Sequence, residues 1–146
     1  LSIRRQRQMC IRDRVLVITE DWCGDAMMNL PILKNITEQL NLEVRVFHRD
    51  DDTNLIDQYL TNGTARSIPI FVFLNDDYQQ ETVWGPRARQ AQKFVEESRA
   101  HLPSKDDPSF EEKSNEVHAI IANRYKTDSQ LWKAVYDSIV EQLLHK

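Results

Sequence analysis

The run Val15-Leu16-Val17-Ile18-Thr19 carries no polar residue at alternate positions. A strand with one wet face alternates polar and apolar side chains, so a short, continuous, β-branched run reads as a strand covered on both faces. A helical pattern follows at once. Met27, Leu30, Leu33, Ile36 and Leu40 recur at helical spacing from Gly24 onward, and Pro31 interrupts the backbone ladder where it would kink the helix. Cys23 is thereby predicted at that helix's N-terminus.

The chain then continues in alternation. Leu42 to His48 alternates as a strand, and "DDDTNLIDQYLTNG" supplies capping carboxylates, a short helix through Leu55, Ile56, Tyr59 and Leu60, and an Asn62-Gly63 stop. Ile68 to Asn75 and Gln79 to Trp84 flank the turn formers Asn75-Asp76-Asp77 as a hairpin, with a helix through Ala91, Phe94, Val95 and Leu102 behind it. Pro103 to Phe110 is a polar joint whose Asp107 and Pro108 suit the cap and first turn of another helix. One stripe (Phe110, Val117, Ile120, Ile121, Tyr125) and a second (Leu131, Trp132, Val135, Ile139, Leu143), begun by Asp128 or Ser129, predict an amphipathic hairpin. The expected organisation is a domain over 15–102 and a helical extension over 103–146 packed on it.

The first 14 residues differ in kind. "LSIRRQRQMCIRDR" has five arginines, one aspartate and no apolar period, and it resembles translated adapter read-through at the end of a gene model. A basic tail can also bind nucleic acid or anionic lipid. The expectation is a non-native or disordered tail; if it replaces a native strand and helix, the strand 42–48 is an open sheet edge. Without its five arginines and one aspartate the chain keeps 14 Lys+Arg against 22 Asp+Glu, a net charge of -8. No basic stripe interleaved with aromatics remains, which argues against nucleic acid as a partner. No apolar run approaches the roughly 20 residues of a membrane span. Three glycines make no phosphate-cradling loop, and His48, His101, His118 and His145 have no metal-type spacing. Neither metal nor cofactor is expected. Two cysteines are too few for a disulfide framework, which with the absence of a signal-peptide core predicts a reducing, cytoplasmic setting.

A thiol in the first turn of a helix meets unpaired backbone N–H groups and the positive end of the helix dipole, which favour the thiolate. Asp21 and Asp25 oppose that shift. The expectation is a lowered pKa, set against the alternative of a small buried residue at a strand-to-helix junction.

Trp22-Cys23-Gly24-Asp25-Ala26 is similar to the Trp-Cys-Gly-x-Cys motif of thioredoxins. Pro31 falls where their redox helix carries its kinking proline, and Ile68-Pro69 before a strand resembles their cis-proline. With "DQYLTNGTARSIPIFVF" and "VWGPRA", these residues resemble a group of bacterial thioredoxin-like proteins. The resemblance implies an α/β thioredoxin-like fold, a central mixed four-stranded sheet flanked by helices, followed here by the helical hairpin. It also implies Cys23 as the catalytic residue and Trp22, Gly24, Asp25, Ile68 and Pro69 as binding residues. Ala26 departs from the pattern, because it replaces the thiol that would resolve a mixed disulfide. Cys10 is no substitute, since an extended strand at about 3.3 Å per residue carries it roughly 30 Å away. Arg66, Arg87 and Arg89 either hold the carboxylates of a small thiol or pair with the abundant acids. Two functions follow: monothiol thiol-disulfide exchange through Cys23 with a protein or low-molecular-weight thiol, or a redox-inactive module binding through the cis-proline groove.

Overall fold

A computed structural model describes residues 14–145. Cys10 and the basic segment, apart from its last residue, lie outside the described residues. Arg14, read above as tail, instead opens the first strand, because its backbone pairs beside Glu43 on one side and Leu74 on the other.

The elements run β1 (Arg14–Thr19), α1 (Gly24–Leu40), β2 (Glu43–His48), α2 (Thr53–Ile56), β3 (Ile70–Leu74), β4 (Gln80–Trp84), α3 (Arg89–Arg99), α4 (Phe110–Thr127) and α5 (Ser129–Leu144). The sheet order is β2-β1-β3-β4. β1 is parallel to β2 and antiparallel to β3, and β3 is antiparallel to β4. β1 is therefore interior, as its unbroken apolar run requires. Val15 and Val17 join the cluster of Phe71 and Phe73 on one face. Ile18 joins Ile56, Ile68, Ile70 and Val72 on the other.

Local chemistry sets the boundaries. α1 ends where Asn41 takes a left-handed φ of 55°, a conformation asparagine tolerates better than most residues. Asp52 caps α2 by accepting the Asn54 N–H at 3.0 Å. At the tip of the hairpin, the Asn75 side chain accepts from the N–H groups of Asp77 and Gln79 at 2.9 and 3.0 Å. β2 forms one edge of the sheet, and Val44, Val46 and Phe47 on it are exposed.

α5 is part of the core. Its Leu131, Val135, Ile139 and Leu143 belong to the cluster that holds Val15, Val17 and Trp84. Trp84 stacks on Phe71 with 5.1 Å between ring centroids and donates its indole N–H to the Ser138 hydroxyl at 2.9 Å. Gln142 reaches Thr82 on the same strand at 2.6 Å. Asp128 starts α5 by accepting from the N–H groups of Gln130 and Leu131.

Several details depart from the sequence reading: α2 stops at Ile56, short of Tyr59 and Leu60, and Met27 faces out while Met28 takes the buried place. Ser109, not Asp107, precedes α4, because the Asp107 carboxylate is taken by the Ser109 N–H and hydroxyl in a turn ahead of the helix. Ile120 faces solvent; adjacent helical residues point about 100° apart, and Ile121 takes the inward place. Leu102 lies beyond the end of α3, in the turn where its N–H meets the Arg99 carbonyl.

Ile139 is 0% exposed within this shared core. Ile139→Ala should destabilise the whole protein by about 2–5 kcal/mol, measured by urea unfolding followed by circular dichroism. A single cooperative transition at lower denaturant is expected; a separate early transition of the hairpin would mean that α5 folds as an appendage.

Candidate functional site

Cys23 is the N-cap of α1, where the chain turns from the end of β1 into the helix. Its backbone is extended, at φ -78° and ψ 118°, and its carbonyl receives the Met27 N–H at 3.2 Å. Only 6% of the residue is exposed. The thiol donates to the Ile68 carbonyl at 3.4 Å, so two stretches 45 residues apart meet at the sulfur. The Ile68-Pro69 peptide bond is cis, as is Gly85-Pro86.

Asp25, two residues into the motif, anchors the surroundings. Arg87 grips its carboxylate twice, Nε to Oδ1 at 2.9 Å and Nη2 to Oδ2 at 2.9 Å. The Tyr125 hydroxyl donates to the same Oδ1 at 2.7 Å. One carboxylate thus ties the start of α1 to the turn before α3 and to the far end of α4. Arg87 also donates to Gln92. Burial works against the Arg87 charge, but the Asp25 carboxylate outweighs it and holds the guanidinium above its ordinary value. Burial and the bond to Asp25 both push the Tyr125 phenol well above its ordinary value, so it remains a donor.

The thiol's own balance differs from the sequence expectation. The N–H groups of Ala26 and Asp25 do favour the thiolate, as a helix terminus should. Burial is larger, the Asp25 charge adds to it, and the Arg87 charge offsets only part. The Cys23 pKa is raised, not lowered.

The other residues of interest fall on either side. Trp22 is 64% exposed, with the Arg49 guanidinium 5.0 Å from its ring centroid. Gly24 opens α1 into free space, where a side chain would meet nothing, so packing does not demand glycine there. Ile68 and Pro69 are buried. A cavity of about 350 Å3 beside them is lined by Trp22, Arg49, Arg66, Ile68, Pro86 and Arg87. Its guanidiniums are already engaged: Arg49 with Asp50, Arg66 with Asp57 at 2.7 and 3.0 Å, and Arg87 with Asp25. Arg89 opens α3 and lines neither this cavity nor the larger one of about 1130 Å3 between α1 and the α4–α5 hairpin. Among the described residues, no group of three or more His, Cys, Asp or Glu is arranged to hold a metal ion. No helix there is long and apolar enough to cross a membrane.

Three contributors escaped the sequence reading. Tyr125 lies 100 residues from its partner and reads locally as one more apolar position on α4. Arg49 looks like part of an exposed charged run. Gly85 has φ 132°, and a Cβ there would collide with the Pro69 carbonyl oxygen; only "VWGPRA" hinted at it, without a reason.

A family model described as Thioredoxin matches residues 2–101. Among solved structures, an HIV epitope-scaffold superposes with a TM-score of 0.61 at 18% identity, covering 100% of this chain and 75% of that one. A protein of unknown function from Pseudomonas aeruginosa gives 0.52 at 22% identity, covering 83% of this chain and 72% of that one. Both likenesses are of fold. A comparison with curated proteins found no match. With the family model spanning more than half its length, and a mixed four-stranded sheet that bears Cys23 at the start of a helix, the chain belongs to the thioredoxin family.

Proposed function

We propose that this thioredoxin-family protein works as a binding module in which Cys23 rests as a neutral thiol and disulfide exchange is not the main activity. The observation that carries this reading is the bond from the Cys23 thiol to the Ile68 carbonyl within a buried site. Only the protonated thiol can donate it. Ionisation would lose that bond and set a second negative charge beside Asp25, with Arg87 already shared. Ala26 supplies no resolving thiol, so a mixed disulfide would wait on an external thiol for release. The engaged arginines weigh against a small thiol held by its carboxylates, which leaves a protein as the partner. An unpaired neutral thiol suits a reducing, cytoplasmic setting.

One observation favours the second reading, monothiol exchange. Cys23 borders the larger cavity, and the N–H groups of Asp25 and Ala26 favour negative charge on its sulfur. A bound partner that drew the thiol away from Ile68 would expose that bias.

The rate of alkylation by iodoacetamide against pH separates the two. The midpoint should lie above the ordinary thiol value of about 8.5, and Asp25→Asn should lower it by removing a nearby negative charge and freeing Arg87. The folded state keeps its proton to higher pH than the unfolded chain, so Cys23 should make the protein less stable as pH rises past about 8.5. A wild-type midpoint below that value would overturn the reading and restore monothiol exchange.

Position 26 offers a second check. Ala26 is buried in the same cluster as Cys23, one helical turn on. Ala26→Cys should form an internal disulfide when treated with oxidised glutathione, seen by mass spectrometry, and should gain disulfide-reductase activity with a dithiol reductant. The wild type should stay inactive even with excess small thiol; turnover there would count for monothiol exchange.

A further inference from the structure

The α4–α5 hairpin leaves a trough beside α1, and its contents say what kind of partner fits. The cavity of about 1130 Å3 runs from Cys23 past Pro31 to Asn35 and Tyr136, a span of roughly 18 Å along the helix at ~1.5 Å per residue. Its walls are apolar: Met27, Met28 and Ile32 from α1, Val95 from α3, Ile121 from α4 and Trp132 from α5. It is open along its rim, where Met27 is 66% exposed and Trp22 also projects. The charge around it is one-sided. Arg87, Arg99, Lys126 and Lys133 line it against the single acid Asp25, in a chain whose residues 15–146 carry a net charge of -8. Arg87 is committed to Asp25, and Lys133 to Asp137 at 2.6 Å. Arg99 and Lys126 are exposed and have no acidic partner among the described residues.

We propose that this trough docks an acidic amphipathic helix of a partner protein, its apolar face on the methionines and Trp132 and its carboxylates toward Arg99 and Lys126. The inference rests on the binding reading above and names the partner's chemistry. Three physical points select a helix. Beyond its Cys23 end the trough is walled by the sides of helices, whose backbone groups are already paired and offer an extended segment nothing to bond, whereas a helix satisfies its own backbone groups. An acyl chain with a carboxylate head matches the same chemistry but leaves Trp22 and Met27 uncovered; a helix about 10–12 Å across covers the rim as well. Methionine walls adapt to the varied apolar residues such a helix presents.

The test uses the full chain and two synthetic helices. Both carry Leu at i, i+3, i+7 and i+11; one is flanked by Glu, the other by Lys, and each has a fluorescent label for anisotropy. The acidic helix should bind with amide shifts confined to α1, α4, α5 and the end of α3, and the basic one should bind at least about tenfold more weakly. Arg99→Glu with Lys126→Glu, both at exposed positions that leave the fold intact, should reverse the order. Equal binding of the two helices, no binding of the acidic one, or shifts centred elsewhere would overturn the proposal. Palmitate displacing the acidic helix and binding more tightly would make the trough a lipid site, which also overturns it. The alkylation profile keeps the two readings apart: helix docking can fail while Cys23 stays slow, and Cys23 can prove fast while docking holds.

Discussion

Keeping β1 dry on both faces is the constraint from which the other elements take their places. Val15, Val17 and Ile18 are each 0% exposed and point to opposite sides of the sheet. Fully burying side chains of this size is worth about 1.5–3 kcal/mol each, and two layers are needed to do it. α1, α3 and α5 supply one layer; Ile56 of α2 and Ile68 help to supply the other. A strand so enclosed releases the chain only at its end. The turn from Thr19 to Gly24 is therefore where Cys23 must emerge, at the head of α1 and against the segment that enters β3.

At that junction, electrostatic influences of both signs meet at the sulfur. The helix start offers N–H groups to the sulfur, and Arg87 adds a positive charge. Burial and the Asp25 carboxylate oppose them and prevail. Asp25 has a second role that keeps it in place: it is the shared acceptor of Arg87 and Tyr125, so the carboxylate that disfavours the thiolate also fastens α4 to α1. Structure and reactivity are coupled through one side chain. With side chains only 17% and 14% exposed, the Arg87–Asp25 pair is harder to disrupt than the exposed Arg66–Asp57 pair nearby, which solvent screens.

The C-terminal hairpin serves two purposes with two different faces. α5 turns Val135 and Ile139 into the core and holds Trp84 through Ser138. α4 stands further out, touching α3 through the Arg124 guanidinium over the Phe94 ring at 4.2 Å and α1 through Tyr125. That unequal seating opens the trough: one helix closes on the sheet, while the other is held at its end and leaves space beside Met27.

Much of the architecture was legible in the chain by itself. The unbroken run at Val15 to Thr19, the helical period from Gly24, the hairpin formers at Asn75 to Asp77 and the Asp128 cap are local patterns, and each marks its element within a residue or two because backbone geometry acts over short distances. The Trp-Cys-Gly motif with Pro31 and Ile68-Pro69 marked the family and placed the thiol. Tertiary structure alone decided the rest. Burial of Cys23 depends on Ile68, 45 residues away, and the setting of Asp25 depends on Arg87 and Tyr125, which are 62 and 100 residues distant. A pKa is a sum over everything near the group in space, and no helix terminus read from sequence contains the desolvation that overrides it. The same holds for the trough: most of its residues come from four helices, each unremarkable in its own stretch, and they become one basic-rimmed apolar surface only when the hairpin packs.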